Sequence, residues 1–98
     1  NVAPWEALAA ERGATVRTAR LDLATFRLDP DDLARHIGPD TRVVAIGAAS
    51  NALGTVTDLA PVLEMARRVG ALVAVDAVHR VPHAHTDVAA LGADFLGC

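Results

Sequence analysis

Ala71-Leu72-Val73-Ala74-Val75-Asp76-Ala77-Val78-His79 is the stretch that decides the fold. Apolar residues run unbroken from Ala71 to Val75 and stop at a carboxylate, and His79 follows three positions on. A short apolar run of this kind, with Gly70 before it and Pro82 after it, reads as a parallel strand buried on both faces. Desolvating an aspartate at the end of such a strand is costly unless a cationic or hydrogen-bonding partner meets it. In open α/β sheets, ligands bind at the carboxyl ends of the strands. Asp76 is therefore either a satisfied structural acid or the anchor for a positively charged ligand atom.

The neighbouring segments repeat the same grammar. Before Gly70, residues Leu59, Val62, Leu63, Ala66 and Val69 recur at helical spacing, with Asp58 as cap and Arg67 and Arg68 in the last turn. Before that helix, Arg42 to Ala49 reads as another buried strand, ending in Ser50 and Asn51, with a loop over 51–57. After the central stretch, Thr86 or Asp87 caps a short helical turn through Leu91, Gly92 stops it, and Asp94 to Cys98 begins a further apolar strand. Nearer the start, Asp29 and Pro30 open a helix carrying Leu33 and Ile37 on one face. Asp31 and Asp32 suit its first turn, Arg35 and a solvated His36 its last, and Gly38-Pro39 ends it. Asn1 is expected to cap a first helix through Trp5 to Arg12, stopped by Gly13. Thr15 to Leu21 alternates as a strand would, and Leu23 to Leu28 is a connector.

Helices alternating with strands imply βαβ units, right-handed crossovers and a mostly parallel sheet, so the expected fold class is α/β. Residues 1–98 show no linker or second domain, and the order of elements looks like a piece cut from a larger sheet. More than half of the residues, 52%, are hydrophobic and only 3% aromatic, so the core must be Ala, Val and Leu. A formal charge of −3 gives no electrostatic case for nucleic acid or an anionic membrane as partner. The longest apolar runs fall short of the roughly 18 residues a membrane span needs. No basic region precedes an apolar segment at the start, so no signal peptide is expected. One cysteine cannot form an internal disulfide, which fits a reducing, cytoplasmic setting. All 9 residues in the Lys+Arg count are arginine, so chemistry that needs a lysine amine cannot be completed by these residues.

The candidate site is the trio Asn51, Asp76 and His79, because two strands ending side by side bring their polar tips to one sheet edge. Polar residues at strand ends also serve merely to cap the following loop. His79, His83 and His85 with Asp76 and Asp87 suggest a metal-dependent hydrolase as a rival, imidazole suiting zinc or iron. Pro82 and the irregular spacing provide no helical or zinc-ribbon ligand geometry, so no metal site is expected. A dinucleotide or P-loop site lacks its glycine-rich turn. A non-catalytic structural paralogue is a further alternative.

Four blocks carry a resemblance: Asn1-Val2-Ala3-Pro4-Trp5; Ala49-Ser50-Asn51-Ala52-Leu53-Gly54-Thr55; Val75-Asp76-Ala77-Val78-His79 with Pro82-His83; and Asp87-Val88 with Ala90-Leu91-Gly92 and Asp94-Phe95. In order and spacing they resemble the class V aminotransferase family, and within it the cysteine desulfurase and selenocysteine lyase branch. The resemblance implies a segment of the large domain of a fold-type-I enzyme that uses pyridoxal 5′-phosphate. It implies that Asp76 pairs with the protonated pyridine nitrogen, a charge-assisted bond worth roughly 1.5–3 kcal/mol. The ring then acts as an electron sink. It further implies that Asn51 donates to the phenolic oxygen and that His79 is a second contact there. Position 79 is glutamine in many desulfurases, so the histidine is a departure that bears on substrate. Implied too are an amino-acid substrate, cysteine or similar, a homodimer, and cleavage of a C–S or C–Se bond; transamination or epimerisation of another substrate is the alternative within the family. The family's Schiff-base lysine would fall beyond Cys98, so these residues alone are expected to be inactive. Cys98 itself is expected to be a buried structural thiol in a core strand.

Overall fold

The computed structural model describes residues 2–98. Its elements run α1 (Ala3–Arg12), β1 (Leu21–Asp22), β2 (Arg27–Leu28), α2 (Pro30–His36), β3 (Val43–Gly47), α3 (Ala60–Val69), β4 (Leu72–Asp76), α4 (Val88–Leu91) and β5 (Phe95–Gly97). Strands β3, β4 and β5 form a parallel sheet in that order, with β4 central. The expected α/β class is what the structure has.

The core is built by α3 against the sheet. Leu59, Val62, Leu63 and Ala66 recur at the spacing of one helical face, and all are buried. Leu59, Leu63 and Ala66 cluster with Val73 and Val75 of β4 and with Ala48, Ala71 and Ala77, and Val44, Ile46 and Leu96 pack at the margin. The opposite face of the sheet is open: Val43, Leu72 and Phe95 are 43%, 46% and 60% exposed. The expectation that the central strand is buried on both faces is therefore corrected. Alternation along a strand sends successive side chains to opposite faces, and α3 covers the Val73–Val75 face.

Caps and stops follow local chemistry. The Asp29 side chain accepts from the amides of Asp31 and Asp32, and Asp87 accepts from Ala90. Gly13, Gly70 and Gly92 end α1, α3 and α4 in the left-handed region, whereas α2 ends on an extended Ile37. Asp58 stands one place further out than expected: Leu59 is the cap residue of α3, and Asp58 Oδ1 accepts from the Ala60 amide at 3.2 Å. The expected capping by Asn1 lies outside the described residues.

Residues 15–21 are not the strand that their alternation suggests. Only Leu21–Asp22 is strand, paired antiparallel with Arg27–Leu28 in a hairpin occupying the expected connector. Its turn is held by Asp22, which accepts from the Ala24 amide and the Thr25 hydroxyl, and Phe26 takes a left-handed φ of 54°. The segment before it is tied by side chains rather than a ladder. Arg17 donates to the His36 carbonyl and pairs with Asp40, and the Arg20 amide donates to Asp32 at 2.8 Å. His36 is correspondingly not a simply solvated residue, since its Nε2 lies 3.4 Å from Asp32 Oδ2.

Candidate functional site

Parallel pairing places the carboxyl ends of β3, β4 and β5 along one edge, and this edge carries the candidate residues. Asp76 is the last residue of β4, level with Gly47 of β3 and Gly97 of β5. Residues paired across a sheet project to the same face, so Asp76 belongs to the open face and α3 lies on the other. It is half-buried, and its Oδ1 accepts from the Val78 amide at 3.1 Å. No Cβ accompanies it on either side, and one built at Gly47 or Gly97 would have no atom within 4 Å. The Asp76 flanks are thus bare backbone, open to a flat group approaching the carboxylate.

Two loops leave this edge beside it. The Ala48 amide donates to the Asp76 carbonyl at 2.8 Å, and the chain then turns through Asn51, which is exposed. That turn is fastened by the Ser50 amide to the Thr55 carbonyl at 2.9 Å and the Gly54 amide to the Ser50 carbonyl at 3.0 Å. Gly54 takes φ +68°, a conformation that a side chain would resist. On the other side His79, also exposed, sits in a tight turn where the Arg80 and Val81 amides both donate to the Ala77 carbonyl. Asn51, Asp76 and His79 therefore belong to the same sheet edge, as adjacency of their strands requires.

The remaining histidines lie elsewhere. His83 and His85 continue the loop after β4 and line, with Thr86, Leu96 and Cys98, a separate depression of about 560 Å³. His36 faces Asp32 on α2. Among the described residues, no three His, Cys, Asp or Glu side chains gather in a way that could hold a metal ion. Cys98 is exposed, which corrects its expected burial: it follows the edge strand β5, whose pattern at Phe95–Gly97 is itself mostly open. Gly47 and Gly97 are the site positions that motif spacing passes over. Counting the two-residue period across the strands from Asp76 would have singled them out.

The arrangement offers an anion for a ring N–H⁺ or other cationic nitrogen, with amide and imidazole donors on adjoining loops for an oxygen acceptor. No described helix is long and apolar enough to cross a membrane.

Comparison with known proteins gives the kinship. The chain is 40% identical over 98 residues to "Probable cysteine desulfurase 1" of Mycobacterium leprae (strain TN), covering 98% of this chain and 16% of the relative. It is 40% identical over 95 residues to a cysteine desulfurase of Yersinia pseudotuberculosis, covering 97% of this chain and 23% of the relative. Its fold superposes on a crystal structure of a cysteine desulfurase from Escherichia coli with a TM-score of 0.89 at 34% identity, over 98% of this chain and 24% of the other. The chain thus spans about a quarter or less of the length of these proteins. The family model for class-V aminotransferases matches residues 1–98, and with the shared fold this makes the chain a member of the class-V aminotransferase family.

Proposed function

We propose that residues 1–98 are a segment of the coenzyme-binding large domain of a pyridoxal 5′-phosphate enzyme, and that the complete protein acts on cysteine or a similar amino acid as a desulfurase. The observation that carries this is the position of Asp76: a half-buried carboxylate at the carboxyl tip of the central strand, with glycine on both sides. The relatives named cysteine desulfurase support the substrate class.

The residues suit the coenzyme. Asp76 would hold the pyridinium nitrogen, and the half-buried setting favours a charge-assisted bond over water. Asn51 and His79 would donate to the phenolic oxygen from the loops after β3 and β4. When bound, the coenzyme supplies an electron sink for the bond that breaks in the amino acid. The chain's own part is to keep the ring nitrogen protonated, to orient the ring by its nitrogen and oxygen, and to leave bare backbone where the ring approaches. It contains no lysine, so the covalent anchor of the coenzyme would come from elsewhere in the complete protein. The same proposal includes a homodimer in the cytoplasm, supported by the family likeness.

The test is Asp76→Ala in the complete protein. It should keep the fold by circular dichroism, take up pyridoxal 5′-phosphate poorly as judged by visible absorbance, and lose nearly all release of sulfide from L-cysteine. A variant with wild-type absorbance and turnover would refute the assignment. So would a wild-type protein unable to take up the coenzyme.

A further inference from the structure

Register is the weak point of the Asp76 edge. β5 contributes only Phe95–Gly97 to the sheet, and its burial alternates with Leu96 toward the core and Phe95 and Gly97 on the open face. Such a pattern forbids a slip of one residue, which would turn Leu96 outward, but it tolerates a slip of two. That slip would set Phe95 beside Asp76 in place of Gly97. Something other than apolar patterning must decide between the two registers.

Asp94 does this. Its backbone amide donates to the Val73 carbonyl at 3.1 Å, and its Oδ2 accepts from the Val73 amide at 2.7 Å. One residue thus satisfies both backbone groups of Val73, and a shift in either direction breaks both bonds. The turn before it is held as well, since Arg67 of α3 donates to the Gly92 carbonyl at 3.2 Å. At the far end the Ala77 amide donates to the Gly97 carbonyl at 2.7 Å; a slip of two would hand that amide to the Phe95 carbonyl and carry Gly97 past Asp76, where β4 ends. From Val73 to Asp76 the sheet rises about 10 Å, so Asp94 acts on the site without touching it.

We infer that Asp94 is a positioning residue for the Asp76 edge: its carboxylate, bonded to the Val73 amide, sets the register that brings Gly97 rather than Phe95 alongside Asp76. The register claim stands on the geometry alone, while its consequence for coenzyme binding rests on the function proposed above.

The experiment compares Asp94→Ala, Asp94→Asn and Asp94→Glu in the complete protein by two measurements. The first is amide hydrogen exchange at Gly97, which a slip of two carries beyond the end of β4 and which needs no coenzyme; the second is uptake of pyridoxal 5′-phosphate followed by its visible absorbance. Asp94→Ala should expose the Gly97 amide and weaken uptake by about tenfold or more. Asp94→Asn keeps an oxygen acceptor in place and should restore both. If Asp94→Ala does not fold, Asp94→Glu, whose longer arm displaces the acceptor, takes its place with the same expected losses. Wild-type protection of Gly97 in the Ala or Glu variant would overturn the register claim. Lost protection with normal uptake would overturn only the link to the coenzyme. A wild-type protein that binds no coenzyme would remove the proposed function and that link, leaving the register to be decided by exchange.

Discussion

The Asp32 carboxylate joins the entry of the hairpin to α2, accepting from the Arg20 amide at 2.8 Å through one oxygen and from Arg35 Nη2 at 3.0 Å through the other. First the backbone bond from Arg20 and then the Arg35 side chain hold its titration below the ordinary 3.8, against the opposing effect of burial. A carboxylate lowered in this way adds stability above its unfolded value, and that stability drains away as pH falls through the folded value. The protein should therefore lose stability below about pH 4. Asp32→Asn should be less stable at neutral pH and show a shallower acid limb in urea titrations at stepped pH. Parallel acid limbs for wild type and variant would contradict this.

Ala48 is fully buried between its amide bond to Asp76 and its carbonyl, which accepts from the Thr57 amide at 2.9 Å. No room is left for a longer side chain. Ala48→Leu should cost about 1–3 kcal/mol by overpacking, and it should separate the two loops that carry Asn51 and His79. Urea midpoints measure the first effect and coenzyme absorbance the second.

Leu63 is the centre of the α3 face and is 5% exposed. Leu63→Ala should lower stability by roughly 2–5 kcal/mol through lost burial and a residual cavity. A smaller loss would mean that the sheet collapses onto α3, to be checked by a change in the denaturant slope.

Gly70 ends α3 at φ +73° with no atom within 4 Å of where a Cβ would stand. Crowding is thus no part of the cost, which comes from backbone conformation alone. Gly70→Ala should destabilise by roughly 1–2 kcal/mol, and Gly70→Asn by less, since asparagine tolerates that region better. Thermal unfolding of both variants checks the order.

Much of this was legible in the sequence because the signals were local. Asp29, Asp87, Gly70 and Gly92 act within a turn of themselves, and the apolar runs leading to Gly47 and Asp76 have no competing interpretation once Gly70 and the α3 spacing bracket them. What was not legible depends on distant partners. Thr15 to Leu21 alternates convincingly, yet among the described residues no strand pairs with 15–20, and Arg17 and Arg20 instead reach residues 12 to 23 positions away. The burial of Cys98 was misjudged for the same reason: a strand's apolar pattern says which residues could be covered, not what covers them. Strand adjacency alone puts Asn51 and His79 at one sheet edge with Asp76. Asp94 reads as the first residue of the last strand, and the 2.7 Å bond that its carboxylate accepts from the Val73 amide, 21 positions away, has no local signal.

The uncovered side of the parallel sheet has a practical corollary. Val43 sits level with Leu72, and Ala74 with Phe95, so oily groups stand shoulder to shoulder where water would otherwise wet the backbone. A 98-residue peptide made on its own would carry that sticky wall into every tube. Its aggregation in a column would report on that uncovered face.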